Sequence, residues 1–295
     1  MAHNIFKGLG IALITPFLED GSVDYKSLIR LVEYQLNNGA DFFCILATTG
    51  ETPTLTAEEK QKIKDLIVDL VGGRVPILVG CGGNNTAVIV NELQTGDFRG
   101  VDGILSVCPY YNKPSQEGLY QHFKAIAAAT QLPVVLYNVP GRTGVNMTAA
   151  TSVRLAYDCP NIVAIKEASG NLEQVDEIIK NSPRGFEVLS GDDALTFPMV
   201  SCGAVGAISV IGNALPREFS KMIRLQMRGE YDGARKIHHR FQDLFSLLFV
   251  DGNPAGVKCM LSEMGYIQNI LRLPLVPTRI STLQRMSEIM KELKI

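Results

Sequence analysis

The sequence predicts an α/β protein, a closed (β/α)8 (TIM) barrel with a C-terminal helical extension. Three observations carry that prediction. Eight short apolar runs alternate with stretches of helical spacing, the pattern that builds βαβ units and a parallel sheet. The runs are almost continuously apolar, as strands covered on both faces must be. The 295 residues also hold a barrel of roughly 250 residues with an extension to spare.

The strands are expected at residues 10–15, 42–47, 76–80, 103–107, 134–138, 162–166, 187–190 and 204–210. Residues 27–37 place Leu28, Leu31, Val32 and Leu36 on one face of a helix, a stripe to be buried. Residues 56–70 open on Thr56 and Glu59, the spacing of a capping box, before Ile63, Leu66, Ile67 and Leu70. An open doubly wound sheet is the competing architecture. Eight repeats complete by about Val210, with no Gly-rich dinucleotide fingerprint after the first strand, favour closure. Residues 215–295 read as the eighth helix and a helical tail that includes 231–249 and 282–293. No linker rich in Pro, Gly or Ser interrupts them. The expected organisation is a barrel over residues 1–225 and a helical region over 226–295 packed on it.

Charge and composition exclude several functions. The formal net charge is -2, from 28 basic and 30 acidic residues, and no Lys/Arg run stands out. Neither nucleic acid nor an anionic membrane is therefore an expected partner. The hydrophobic fraction is 46%, ordinary for a globular chain, and no apolar run approaches the roughly 18 residues of a membrane span. Six cysteines (Cys44, Cys81, Cys108, Cys159, Cys202 and Cys259) lie far apart with no C-x-x-C pair, which favours free thiols in a reducing compartment. Residues 1–17 lack a basic segment leading into a long apolar stretch, so no signal peptide is expected. The Asn-x-Thr triplets at Asn84 and Asn146 then carry no sugar. A cytoplasmic location is the expectation.

In such a barrel the chemistry lies at the carboxyl ends of the strands. Lys166 ends the apolar run Ile162-Val163-Ala164-Ile165. An ammonium among apolar walls is costly, and a neutral amine attacks carbonyls. Lys166 is thus either a Schiff-base lysine or a lysine paired with a carboxylate such as Glu167. Tyr110, Tyr111 and Tyr137 bring hydroxyls to the same rim, as acid–base groups or as packing residues with one hydrogen bond. Thr48 and Thr49, in a turn with Gly50, offer hydroxyls and N–H groups to a carboxylate, or serve only as caps. Arg142, between Gly141 and Gly144, suits bidentate carboxylate binding, with a solvated loop Arg as the alternative. The four histidines (His3, His122, His238 and His239) have no metal-ligand spacing, so no metal is expected. No G-x-S-x-G elbow or Walker A loop occurs. Asp192 and Asp193, after the seventh strand, would repel the phosphate of a sugar-phosphate substrate.

At these residues the sequence resembles the dihydrodipicolinate synthase (4-hydroxy-tetrahydrodipicolinate synthase) family of pyruvate-dependent Schiff-base lyases. The matching motifs are Thr48-Thr49-Gly50-Glu51, Pro109-Tyr110-Tyr111-Asn112, Tyr137-Asn138-Val139-Pro140, Gly141-Arg142-Thr143-Gly144, Ile165-Lys166-Glu167-Ala168 and Leu189-Ser190-Gly191-Asp192-Asp193. The resemblance runs from about Gly8 to the carboxyl end. It implies condensation of pyruvate with aspartate 4-semialdehyde, the entry step to diaminopimelate and lysine, without a cofactor. By that resemblance Lys166 forms the imine, and Tyr137, Thr48 and Tyr111 relay protons. Thr49, Ile208 and Gly191 fall at substrate-binding positions, and Arg142 holds the carboxylate of the semialdehyde. The family implies a homotetramer of two tight dimers, with Tyr111 reaching into the neighbouring subunit's site. A sister aldolase, such as N-acetylneuraminate lyase or a keto-deoxy-sugar-acid aldolase, is the alternative, and a catalytically silent ligand-binding barrel a more distant one. In lysine-sensitive relatives an allosteric pocket uses the positions of Thr52, Pro53, Ala57, Lys60, Asn84, Val88 and Tyr110. Val88 stands where those relatives carry an acidic residue, and Lys60 where they carry a His. Feedback inhibition by lysine is therefore expected to be weak or absent.

Overall fold

Eight strands close into one parallel barrel in chain order: β1 (Gly8–Ala12), β2 (Phe42–Ile45), β3 (Ile77–Gly80), β4 (Gly103–Val107), β5 (Val134–Asn138), β6 (Ile162–Glu167), β7 (Glu187–Ser190) and β8 (Gly206–Ser209), with β8 pairing back onto β1. The computed structural model describes residues 5–295; residues 1–4, including His3 and the start of the stretch read for a signal peptide, lie outside the described residues. The helices between strands are α1 (Tyr25–Asn37), α2 (Ala57–Val71), α3 (Thr86–Thr95), α4 (Gln116–Ala128), the short α5 (Pro140–Thr143), α6 (Ala149–Asp158), α7 (Leu172–Asn181) and α8 (Thr196–Ser201). After β8 come α9 (Pro216–Met227), α10 (Tyr231–Leu247), α11 (Ala255–Glu263) and α12 (Ile280–Leu293). Among the described residues no helix is long and apolar enough to cross a membrane.

The barrel is the predicted one, and local chemistry sets its element ends. Thr56 caps α2 by accepting from the Glu59 N–H while the Glu59 carboxylate accepts from the Thr56 N–H, the reciprocal bonding of a capping box. β4, β5 and β7 fall where the apolar runs place them. β1 departs from the expected 10–15, since Leu13, Ile14 and Thr15 stay buried but leave the sheet. There Ile14 N–H donates to Asn213 Oδ1 at 3.1 Å and Thr15 Oγ1 to Gly50 O at 2.7 Å. An apolar run cannot distinguish a strand from a buried loop satisfied by side chains.

Two apolar shells result. Phe42, Cys44, Leu78, Leu105, Val135, Tyr137, Leu189 and Ile208 fill the barrel interior. Phe43, Ile45, Val79, Ile104, Leu136 and Ile165 face outward against the helices. The period-2 alternation is broken once, in β6. Val134 pairs with Ile162 but Val135 pairs with Ala164, so Val163 is an extra residue. Val163 and Ala164 both join the interior cluster, and the phase is reversed beyond them. A bulge of this kind re-aims every later side chain. Lys166 therefore points into the barrel and Glu167 out of it.

Candidate active site

The bulged register pairs Tyr137 with Lys166 on one rung and Asn138 with Glu167 on the next. The first rung faces inward at the carboxyl end of the sheet. Lys166 and Tyr137 are each 5% exposed, and Lys166 Nζ lies 4.2 Å from the centroid of the Tyr137 ring. That ring face offers an amine a partner without locking it in a carboxylate pair. Among the described residues Lys166 forms no salt bridge, so the pairing with Glu167 that the sequence left open is not made. Gly191 abuts the lysine stem: a Cβ there would stand 3.1 Å from Lys166 Cγ and Cε and 2.8 Å from Ala168 Cβ. Ile208 closes the same interior from β8.

A cavity of about 500 Å³ opens at the Tyr137 end of this rung, lined by Thr48, Val107, Tyr110, Tyr137, Arg142 and Asn253 among others, with Lys166 behind Tyr137 and outside its lining. It thus brings together four of the residues expected from sequence: Thr48, Tyr110, Tyr137 and Arg142. Thr49 lies beside it, buried, accepting from Asn253 Nδ2 at 3.0 Å. Tyr111 does not line the cavity. It sits at φ 74 with 89% of its surface exposed, a left-handed conformation that swings it off its own chain. Among the described residues no hydrogen bond links Tyr137, Thr48 and Tyr111.

Asp193 corrects one argument drawn from the sequence. Its side chain is buried and accepts from the N–H groups of Val210 at 3.1 Å and Ile211 at 2.7 Å. Burial raises its carboxyl to about 6, with hydrogen bonds from Ser209 and Ile211 opposing the rise. It fixes the chain beyond Ile208 and is turned into the fold, not toward a ligand in the cavity. Glu167 is likewise turned into structure. It takes Asn138 Nδ2, Gln174 Nε2 and Ser169 N–H, and burial pushes its carboxyl up.

Residues missed by sequence reasoning come from the C-terminal region. Besides Asn253, Lys258 on α11 is fully buried and donates to Glu51 Oε1 and to Ile270 O. Burial lowers its ammonium to about 8, against the opposing pull of the Glu51 carboxylate. Arg272 N–H donates to Glu51 Oε2 at 3.1 Å, while its guanidinium grips both oxygens of Glu59. The Phe17 ring meets both cations, its centroid 4.1 Å from Lys258 Nζ and 4.4 Å from the Arg272 guanidinium carbon. Glu51 itself is held at φ 53, just after the turn bearing Thr48 and Thr49. The signal was present: a lone Lys in the apolar stretch Ala255–Leu261 repeats the cue that singled out Lys166.

With that geometry, the relatives of the chain can be weighed. The family described as "Dihydrodipicolinate synthetase family" matches residues 5–293. The chain belongs to this family. A 4-hydroxy-tetrahydrodipicolinate synthase from Phocaeicola vulgatus is 65% identical over 295 residues, covering 100% of this chain and 99% of the relative. One from Parabacteroides distasonis is 63% identical over the same span, again covering 100% and 99%. Among solved structures, dihydrodipicolinate synthase from Thermotoga maritima superposes with a TM-score of 0.96 at 40% identity, covering 99% of each chain. The synthetase family thus accounts for the whole chain, C-terminal helices included.

The buried Glu51–Lys258 pair makes a stability prediction. Lys258→Met leaves the Glu51 carboxylate without its cation and should destabilise the fold by about 3–5 kcal/mol. Adding Glu51→Gln should recover most of that loss, because no buried charge then remains. Urea denaturation of the single and double variants measures both. A single variant within about 0.5 kcal/mol of wild type, the scale of an ordinary surface change, would contradict the assignment.

Proposed function

We propose that the Lys166–Tyr137 rung is the reacting centre through which this chain condenses pyruvate with L-aspartate 4-semialdehyde. The chain is a lyase of diaminopimelate and lysine biosynthesis, as its full-length relatives of the synthetase family are named. The sister-aldolase reading is not favoured by those relatives. The observation that carries the residue roles is the unpaired Lys166 amine, held inside an apolar barrel over a phenol.

In the proposed sequence the Lys166 amine attacks the keto carbon of pyruvate, and water leaves as the imine forms. A methyl proton is then lost to give the enamine, which attacks the aldehyde carbon. The amino group of the second substrate finally displaces Lys166 as the ring closes and 4-hydroxy-tetrahydrodipicolinate departs. Tyr137 gives and takes protons, with Thr48 and a partner's Tyr111 as relay, since a phenol held away from bulk water needs partners to carry its proton onward. Thr49, Ile208 and Gly191 shape the pyruvate site, and Arg142 holds the carboxylate of the semialdehyde. The exposed, left-handed Tyr111 supports a homotetramer of two tight dimers that exchange this residue. Residues 1–225 act as the catalytic barrel and 226–295 as the helical region that completes its rim. Free thiols throughout support a cytoplasmic location.

Borohydride reduction in the presence of pyruvate should add one reduced pyruvyl group to the peptide carrying Lys166. A label on any other lysine would overturn the role given to it. Arg142→Ala should lower kcat/KM for the semialdehyde about ten- to a hundred-fold, the scale of one lost charge-assisted pair, and leave imine formation with pyruvate intact. Equal loss in both steps would refute the division of labour.

Regulation by lysine is proposed to be weak. Val88 is exposed and apolar. The Glu92 carboxylate does reach Cys81 beside the cavity, but the Lys60 ammonium acts on the same thiol with the opposite sign. An incoming ammonium would meet that cation. Initial rates at subsaturating pyruvate should show half-inhibition only above about 1 mM lysine; tighter inhibition would show that Glu92 supplies the missing charge.

A further inference from the structure

We infer that Glu167, on the outward rung beside the reacting one, is a positioning residue that selects the carboxylate of the second substrate by holding the Arg142 loop in shape. The inference rests on the role given to Arg142 above. Asn138 closes that loop at its base: its Oδ1 accepts from Met147 N–H at 3.0 Å and its Nδ2 donates to Asn146 Oδ1 at 2.7 Å. Residues 139–146, with α5 and Arg142 in them, are thereby tied off as a loop on this buried amide, with Gln174 and Gln116 also bonding Asn146. Which way that amide points is fixed by Glu167 on its nitrogen side and by Met147 N–H on its oxygen side. Both carboxylate oxygens lie 3.1–3.2 Å from Asn138 Nδ2, and an ionised carboxylate only accepts. The amide nitrogen must therefore face Glu167, and the amide oxygen must face Met147 N–H.

The carboxylate is in turn held by donors alone. Ser169 N–H reaches Oε1 at 2.7 Å and Gln174 Nε2 reaches Oε2 at 3.1 Å, and Gln174 Oε1 accepts from Asn146 Nδ2 at 2.8 Å. Glu167 is 1% exposed and Asn138 0%, so water does not substitute for these bonds. Among the described residues no cation pairs with Glu167. A buried carboxylate kept without a counter-ion, one residue from the lysine, is costly as mere packing. Its use is to impose polarity on the amide that shapes the Arg142 loop. Register makes the link unavoidable, because Tyr137 and Asn138 are consecutive on β5 and Lys166 and Glu167 are consecutive on β6.

Glu167→Gln tests this with little change of volume. Gln keeps one acceptor and turns a donor toward Ser169 N–H or Gln174, so one of the two oxygens that hold Asn138 Nδ2 is lost and the tie to the loop loosens. The expected result is a loss of about ten-fold in kcat/KM for the semialdehyde, the scale of one charge-assisted hydrogen bond. Imine formation with pyruvate alone, read by borohydride trapping, should stay within about two-fold. In a double-mutant cycle the Glu167→Gln/Arg142→Ala chain should be no worse than Arg142→Ala, since both remove one function. Gln174→Met, which leaves the carboxylate but removes a side chain bonding both Glu167 and the loop end at Asn146 and Met147, should shift the semialdehyde step in the same direction by about two- to three-fold and serves if Glu167→Gln fails to fold. Additive losses in the cycle, or equal losses in the imine and semialdehyde steps, overturn the inference. A wild-type chain that forms no adduct at Lys166 overturns the functional reading itself, and this inference with it.

Discussion

One extra residue in β6 sets the rest of the site. Val163 has no partner of its own in the pairing with β5, and the reversal of phase beyond it turns Lys166 into the barrel. Without it Lys166 would face the helices and Glu167 the interior, an acid where an amine is needed. The bulge costs a little of the β5–β6 ladder and gives two consecutive rungs opposite duties. The inner rung holds the amine and the phenol. The outer one is rigid and polar.

The polar groups buried around the barrel mouth share a pattern. Glu51, Glu167 and Asp193 each accept at least one backbone N–H of a loop that leads to the site: Arg272, Ser169, and Val210 with Ile211. Burying three carboxylates stabilises the fold little, and apolar replacements of the same shape would often do better. Their effect is to give irregular backbone a single conformation. Loops at the carboxyl ends of strands have no ladder to define them, so side-chain acceptors take over that task.

The barrel was legible from the sequence because burial on both faces writes itself as short apolar runs separated by helical stripes. Element ends were legible where a cap announced them, as at Thr56 and Glu59, and blurred where apolar residues ran on into a buried loop, as at Leu13 and Ile14. Thr48, Tyr137 and Arg142 share the cavity because each lies at or within a few residues of the carboxyl end of a strand. The bulge at Val163 left no trace, since Ile162, Val163, Ala164 and Ile165 are all apolar and any phase suits them. Asp193 was misread because charge in a sequence carries no direction. Asn253 and Lys258 were overlooked because their partners lie far away in the chain, where no local period can reach.

That distance has a consequence for how the chain is made. Asn253 meets Thr49 across 204 residues, Lys258 meets Glu51 across 207, and Arg272 meets Glu51 across 221. A ribosome that has released all eight strands has still to deliver the segment that fastens the second loop. Domains form from the amino end as they emerge, at about 5–20 residues per second. The threonine turn is thus fastened by residues added after all eight strands, so its shape depends on a part of the chain that contributes nothing to the sheet.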